Sequence, residues 1–116
     1  MKAKLDKKLY KPEKGIISCP VTEIWQLLGK RWSLPILYTI TKNGTIRFNE
    51  LKKSLSEISA TVLSERLSEL ESHGLIIKKM FAEIPPRVEY SLSPKTNELG
   101  KIIEELNGWV MKWKLK

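Results

Sequence analysis

The chain has 116 residues, of which 41% are hydrophobic and 29% charged, as expected for one soluble globular domain. It contains no apolar run near the ~20 residues of a membrane helix, and no apolar stretch follows its basic start as in a secretory signal. Twenty-one Lys and Arg against thirteen Asp and Glu give a net charge of +8. This charge favours a polyanionic partner, with nucleic acid first and an anionic membrane second.

Residue types that carry catalysis or bind metals are scarce. The single histidine, His73, lies far in sequence from the single cysteine, Cys19, so one chain cannot build a zinc cluster from the usual His and Cys ligands. The six glycines never fall in a phosphate-cradling spacing. We therefore predict no enzyme activity, no metal and no cofactor. The lone cysteine excludes an intrachain disulfide and fits a reducing cytoplasm.

In chain order, residues 1–15 are lysine-rich and predict a weakly ordered basic tail, followed by one domain over 16–116. The stretch "CPVTEIWQLLGKRW" predicts an amphipathic helix that begins at Pro20 and has Gly29 as its C-terminal cap. A second helix follows, roughly Ser33 to Lys42, with Ser33 as its N-cap. "NGT" then predicts a turn, and "TIRF" is too short for more than an edge strand.

The next two elements have the spacing of a helix-turn-helix. "NELKKSL" predicts a short helix, "SEIS" a tight connection, and "SATVLSERLSELESHGLI" a helix capped by Ser59 and terminated by Gly74. At about 100° per residue its leucines share one face. The opposite face carries Thr61, Glu65, Ser68 and Ser72, with Val62 and Arg66 on a flank. In so lysine-rich a chain, this lysine-free face suits close approach to base edges.

After Gly74 the pattern becomes extended, because Val88, Tyr90 and Leu92 alternate with polar residues. "LIIKKMFAEI" and "RVEYSL" flank a proline pair, which forbids a tight two-residue turn and predicts a hairpin with an extended tip. "SPKTNELGKIIEELNGWVMKWKLK" predicts a long helix starting near Pro94. The order of elements predicts a winged helix-turn-helix, mainly α with a small β-hairpin (α+β). Such domains mostly bind duplex DNA, with the second helix of the motif in the major groove.

This architecture assigns candidate roles to the polar residues. Base readout is predicted for Ser59, Thr61, Val62, Glu65 and Arg66. Contacts with the DNA backbone are predicted for cations on the first motif helix, on the wing and in the loop before the second helix. These are Lys30, Arg31, Lys52, Lys53, Lys78, Lys79 and Arg87. Two alternatives stay open: Arg66 could pair with Glu65 or Glu69 on its own helix, and Arg47 and Glu89 could be internal partners rather than ligand contacts. A winged helix that serves only as a protein interaction module is the competing function.

The last helix carries an apolar stripe longer than a small three-helix core can cover, which predicts a homodimer interface. The stripe consists of Leu99, Ile102, Ile103, Leu106, Trp109, Val110 and Trp113. The tryptophans also raise the hypothesis of stacking on single-stranded nucleic acid. Because Trp25, Trp109 and Trp113 lie on apolar helical faces, packing in the core or in a dimer is the favoured interpretation.

Four segments, in this order, resemble the HxlR-type transcription regulators of bacteria and archaea: "GKRW", "RFNELKKSL", "ISATVLSERLSELESHGLI" and "EIPPRVEYSLSPKTNELGKII". The resemblance runs from about Cys19 to Trp109. It implies a winged-helix homodimer whose N-terminal segment and C-terminal helix build the interface, and which binds a pseudopalindromic operator on double-stranded DNA. The extra basic residue in "KRW" and the segment "SPKTNELG" depart from the family pattern without touching the groove-facing helix.

Cys19 occupies the place where several members of that family carry a sensing cysteine. It precedes Pro20, so the positive end of the first helix would stabilise its thiolate, the form that reacts. The flanking Ile17 and Val21 could instead bury the sulfur and oppose ionisation. Cys19 is therefore a candidate sensor of a small oxidant or electrophile, with an inert packed cysteine as the equal alternative.

Overall fold

The computed structural model describes residues 20–114 and divides the chain into two units, 1–30 and 31–116. The predicted tail over 1–15 and Cys19 therefore lie outside the described residues. In the first unit, helix α1 spans Pro20–Gly29. The second unit contains α2 (Ser33–Asn43), β1 (Thr45–Arg47), α3 (Phe48–Ser54), α4 (Ala60–Ser72), β2 (Ile76–Phe81), β3 (Arg87–Leu92), a single 3₁₀ turn (Pro94–Thr96) and α5 (Asn97–Lys114). This order confirms the predicted winged helix.

The core of the second unit is built from leucines and isoleucines that recur every three or four residues on α2, α3 and α4. Their side chains are fully or almost fully buried: Ile36, Leu37, Ile40, Leu51, Leu63, Leu67 and Leu70. Each side chain of this size contributes about 1.5–3 kcal/mol when removed from water. The apolar residues that recur at the helical period of 3.6 residues thus form one shared core.

Helix α4 has the ends that the sequence predicts. The Ser59 hydroxyl accepts a hydrogen bond of 3.1 Å from the backbone N–H of Val62. At the other end, the N–H of Leu75 donates to the carbonyl of Leu70 at 2.9 Å. Gly74 lies between them with φ 75°, the left-handed conformation that glycine adopts most readily. The helix therefore stops sharply and the chain enters the wing at once.

Helix α1 begins at Pro20 as predicted, but the N-cap of α2 and the role of Gly29 differ from the prediction by one residue. The N-cap of α2 is Trp32, with φ 79° and no capping hydrogen bond from its side chain, whereas Ser33 is the first helical residue and fully buried. The preference of serine for an N-cap is local, and the packing that buries Ser33 outweighs it. Gly29, predicted as a cap, is instead the last residue of α1.

The three strands form an antiparallel sheet in the order β1–β3–β2, with β1 at one edge as predicted. Tyr90 lies between Ile46 on β1 and Lys78 on β2, and Phe81 lies opposite Arg87 at the far end of the hairpin. Residues 82–86 connect the two long strands. This five-residue tip confirms that the proline pair prevents a two-residue turn.

Two close contacts fix α5 to the rest of its unit. A Cβ on Gly100 would lie 2.7 Å from the Thr41 hydroxyl oxygen on α2, so only glycine permits this approach. The buried Ser93 hydroxyl donates to the carbonyl of Gly74 at 2.7 Å and lies 2.7 Å from the Thr96 hydroxyl. The end of α4 and the start of α5 are thereby joined through hydrogen bonds.

Candidate nucleic-acid interface

The outward face of α4 is polar, small and free of lysine. Thr61, Ser64, Glu65, Ser68 and Ser72 are exposed, while the leucines of the same helix are buried. Ser64 was not among the predicted base-reading residues, although its position three residues after Thr61 places it on the same exposed side. Side chains this short leave the backbone of the helix accessible to a closely approaching partner.

Two of the predicted base-reading residues also stabilise the beginning of α4. The Ser59 hydroxyl is the N-cap acceptor for Val62 N–H, and the Val62 side chain is half-buried. Ser59 keeps its hydroxyl proton available to donate. These residues can therefore present only part of their surface to a ligand.

Arg66 is held inside the protein rather than extended into solvent. Its Nε–H donates to the backbone carbonyl of Arg31 at 2.9 Å, and its Nη1 lies 2.8 Å from Oε1 of Glu69. The side chain is only 14% exposed. Of the two alternatives left open by the sequence, pairing with Glu69 is the arrangement present in the structure.

The lysines of α3 lie together on an open hollow of about 540 Å³, which is lined by Asn49, Lys52, Lys53 and Ser56. Lys53 is exposed and Lys52 is half-buried. Two ammonium groups beside an amide and a hydroxyl form a donor-rich surface on the first helix of the motif. Such a surface suits anionic oxygen atoms.

On the wing, the predicted cations have different surroundings. Lys78 and Lys79 are exposed, and because they are consecutive on β2 they project from opposite faces of the sheet. Lys78 lies opposite Tyr90, whereas Lys79 lies opposite Glu89. A ligand resting against one face of the wing would therefore meet one of these lysines first.

Arg87 is enclosed by its neighbours. Its Nη1 lies 3.0 Å from Glu83, and its guanidinium carbon lies 4.1 Å from the centre of the Phe81 ring. Its Nε is 3.1 Å from a Glu89 oxygen but makes no aligned hydrogen bond, so this contact is an ion pair without directed donation. Glu89 thus serves as an internal partner, one of the two roles the sequence allowed. Arg47 donates its backbone N–H to Glu50 at 3.0 Å.

The loop before α2 contributes the remaining predicted cations. Arg31 is exposed, and its guanidinium carbon lies 5.2 Å from the centre of the Trp32 ring, within the range of a cation–π contact. Lys30 is the exposed residue that precedes it. Among residues 20–114 there is no group of three His, Cys, Asp or Glu side chains that could hold a metal ion.

The ionisation of Tyr90 is perturbed by its surroundings. Burial raises its pKa, and the carboxylate of Glu71 on α4 adds to the increase. Both effects oppose a negative charge on the phenol oxygen. Tyr90 therefore remains neutral where the central strand meets the helices.

The C-terminal half of α5 presents large apolar side chains to solvent. Ile102 is 59% exposed, Trp109 61% and Trp113 54%, and Leu106 and Val110 are also exposed. Ile103, although part of the predicted stripe, is only 5% exposed and packs inside the chain. Leu99 is half-buried. The apolar surface that α5 exposes is therefore narrower than the stripe of seven residues predicted from the sequence.

A mostly apolar groove runs between α2 and α5. It has a volume of about 330 Å³ and is lined by Leu34, Pro35, Tyr38, Ile103, Leu106, Asn107 and Val110. Its polar lining includes the hydrogen bond of 3.1 Å from the Asn107 amide to the Tyr38 hydroxyl. The groove continues directly into the exposed face of α5 through Leu106 and Val110.

Within residues 20–114, none of the helices combines the length and the apolar character that a membrane span requires.

Comparison with known proteins places these features in a wider group. The model of the HxlR-like helix-turn-helix family matches residues 27–116. An uncharacterized HTH-type transcriptional regulator, BH0655 of Halalkalibacterium halodurans, is 39% identical over 99 residues, which cover 85% of this chain and 88% of that protein.

Two solved structures have the same fold. The redox regulator HypR in its oxidized form superposes with a TM-score of 0.73 at 30% identity, covering 81% of this chain and 96% of that one. Diamide-treated YodB from Bacillus subtilis superposes with a TM-score of 0.65 at 30% identity, covering 84% of this chain and 97% of that one.

Proposed function

Because the chain belongs to the HxlR-like helix-turn-helix family of DNA-binding transcriptional regulators, we propose that it binds a specific pseudopalindromic operator on double-stranded DNA as a homodimer. One observation carries the proposal: the exposed face of α4 is lysine-free and made mostly of short hydroxyl side chains with Glu65 among them, whereas lysines flank it in sequence on α3 and β2. This division of residue types matches the division between base edges and phosphates in a DNA complex.

In this proposal α4 lies in the major groove. Thr61, Glu65 and Ser64 face the base edges, where a carboxylate can accept from the cytosine amino group and a threonine methyl can contact the thymine methyl. Val62 and Ser59 approach the groove at the beginning of the helix. Their half-buried and capping positions support contact at the edge of the groove.

The lysines contact the phosphates. Lys52 and Lys53 on α3 would lie along the DNA backbone. On the wing we assign the contact to Lys79, because Lys78 projects from the other face of the sheet. Lys30 and Arg31 would add a third contact near α2. Arg87 supports the wing from within, because its two carboxylate partners and the Phe81 ring already engage it. Each neutralised phosphate then contributes about −0.9 to the log–log slope of affinity against salt.

The homodimer would form through the exposed face of α5. Large apolar side chains on one helix face, continuous with an apolar groove, are costly to leave in water. A two-fold dimer would set two α4 helices about 34–36 Å apart, one turn of DNA. The two-fold symmetry of the dimer would therefore require an operator with two inverted half-sites.

Selection of binding sites from random duplex DNA, followed by a salt titration on the recovered site, tests the function. We expect an inverted repeat and a steep decrease in affinity with salt. A protein interaction module, the competing function, would select no sequence and show a shallow slope. Wild-type protein that recovers no consensus would refute the proposal.

We further propose that the protein responds to oxidation through Cys19. HypR has been solved in an oxidized form and YodB after diamide treatment, which supports a similar response through Cys19 in this chain. With one cysteine per chain, diamide would join Cys19 of the two subunits, two thiols losing two electrons and two protons to the reagent. Operator binding before and after diamide, compared with Cys19→Ser, tests this. Equal behaviour of treated wild type and variant would make Cys19 structural.

A further inference from the structure

Arg66 connects the recognition helix to a residue far away in the chain. Its Nε–H donates to the carbonyl of Arg31, 35 residues earlier, while its Nη1 holds Glu69 on the next turn of α4. One guanidinium thus spans from α4 to the turn before α2. The ion pair with Glu69 and the 14% exposure leave this side chain poorly placed for a bidentate contact with guanine.

The turn that Arg66 holds is strained. Trp32 has φ 79°, a left-handed conformation that large side chains rarely adopt and that persists only where the surroundings enforce it. The same residue carries the guanidinium of Arg31 above its ring, 5.2 Å from the centre. The backbone and the side chain of Arg31 are therefore both constrained beside α4.

Resting on the proposed DNA binding, we propose that Arg66 is a positioning residue: it clamps the Arg31–Trp32 turn to α4 so that Arg31 meets a backbone phosphate while α4 lies in the groove. Arg66 itself reads no base. The clamp needs arginine, because a guanidinium donates in two fixed directions at once, whereas the ammonium of lysine is a single point on a flexible stem.

The test is a double-mutant cycle on salt dependence, measured with the selected operator duplex and with an unrelated duplex. Arg66→Lys keeps the charge but breaks the clamp, and Arg31→Ala removes the contact it positions. We expect each single variant to lower the salt slope by about one and the double variant to lower it no further. Lys79→Ala is the matched control, and its loss should add in full to that of Arg66→Lys.

Several outcomes separate the possibilities. If Arg66→Lys changes the selected sequence, Arg66 reads bases and the inference is wrong, while the proposed function stands. If its loss adds in full to that of Arg31→Ala, the two residues act independently and the clamp is refuted. Wild-type protein without salt-dependent duplex binding would overturn both proposals. Thermal unfolding of Arg66→Lys and Arg66→Gln identifies a folding defect; only a variant that melts like wild type enters the cycle, and if neither does, Arg66 is assigned to stability and the inference fails.

Discussion

Helices α4 and α5 share the periodicity of amphipathic helices, but they expose opposite chemistries. The exposed side of α4 carries hydroxyls and carboxylates, such as Thr61 and Glu65, above buried leucines. The exposed side of α5 carries indoles and aliphatic groups, with Trp109 61% exposed. A polar face is well solvated by water, whereas large apolar side chains exposed together on one helix face favour burial against a protein partner. The comparison shows that the buried half of a helix defines the fold and the exposed half indicates the kind of partner.

The largest expected effect comes from placing a charge on the exposed face of α5. Trp109→Glu would put a carboxylate into the dimer interface without a partner, which is strongly unfavourable. We expect a monomer by light scattering at micromolar concentration, and a loss of operator affinity of about 10²–10⁴-fold as the two half-sites cease to be bound together. Lys101→Gln makes the same change in charge at an exposed position of α5 outside the apolar stripe and should remain dimeric. A dimeric Trp109→Glu with wild-type affinity would exclude this face as the interface.

On α4, single truncations should change which sequence is preferred. Thr61→Ala and Glu65→Ala each remove a proposed base contact, worth about 1–3 kcal/mol of discrimination. Competition between operator variants measures this change. Lys79→Ala should instead weaken all duplexes alike and lower the salt slope by about one. The opposite result, with Lys79 altering sequence preference and the α4 variants not, would exchange the roles of helix and wing.

Two glycines show which part of α5 belongs to the core of the chain. Gly100→Ala would place a methyl group 2.7 Å from Thr41 and 3.0 Å from Leu92. We expect a loss of about 1–3 kcal/mol in the free energy of unfolding from this overpacking. At Gly108 a Cβ meets no atom within 4 Å, so Gly108→Ala should stabilise the helix by about 0.5–1 kcal/mol. Urea denaturation of both variants measures these changes. Equal changes in the free energy of unfolding would contradict the close packing of α5 on α2.

The smallest effect concerns the sheet that supports α4. The pKa of Tyr90 is raised in the folded state by burial first and by Glu71 second. Above pH ~10 the unfolded chain loses this phenol proton while the folded chain keeps it. Stability is therefore complete below pH ~10 and decreases as the pH rises towards the folded pKa. Tyr90→Phe should remove this decrease, measured by urea denaturation at pH 8 and pH 11. A wild-type stability that declines no faster than that of the variant would contradict the buried neutral phenol.

Much of the fold and the outline of the site followed from local patterns. The leucines of α4, the cap at Ser59, the stop at Gly74 and the hairpin around the proline pair were predictable because periodicity and turn chemistry act within a few residues. The polar face of α4 was predictable for the same reason: once three leucines define the inward side, the outward residues are known. The N-cap of α2 was not, since the packing that buries Ser33 outweighs the local preference of serine for that position.

The sequence alone determined where the elements lie and which chemistry each one exposes. Only the tertiary structure decided which side chains remain available to contact a ligand or a partner and which are engaged inside the protein. It pairs Arg66 with Arg31 and Glu69, encloses Arg87 in the wing and buries Ile103 of the α5 stripe. A pattern of 3.6 or two residues gives the direction of a side chain, but its partners depend on distances between segments far apart in sequence. A cation that appears free in the sequence can therefore be an internal support in the folded protein.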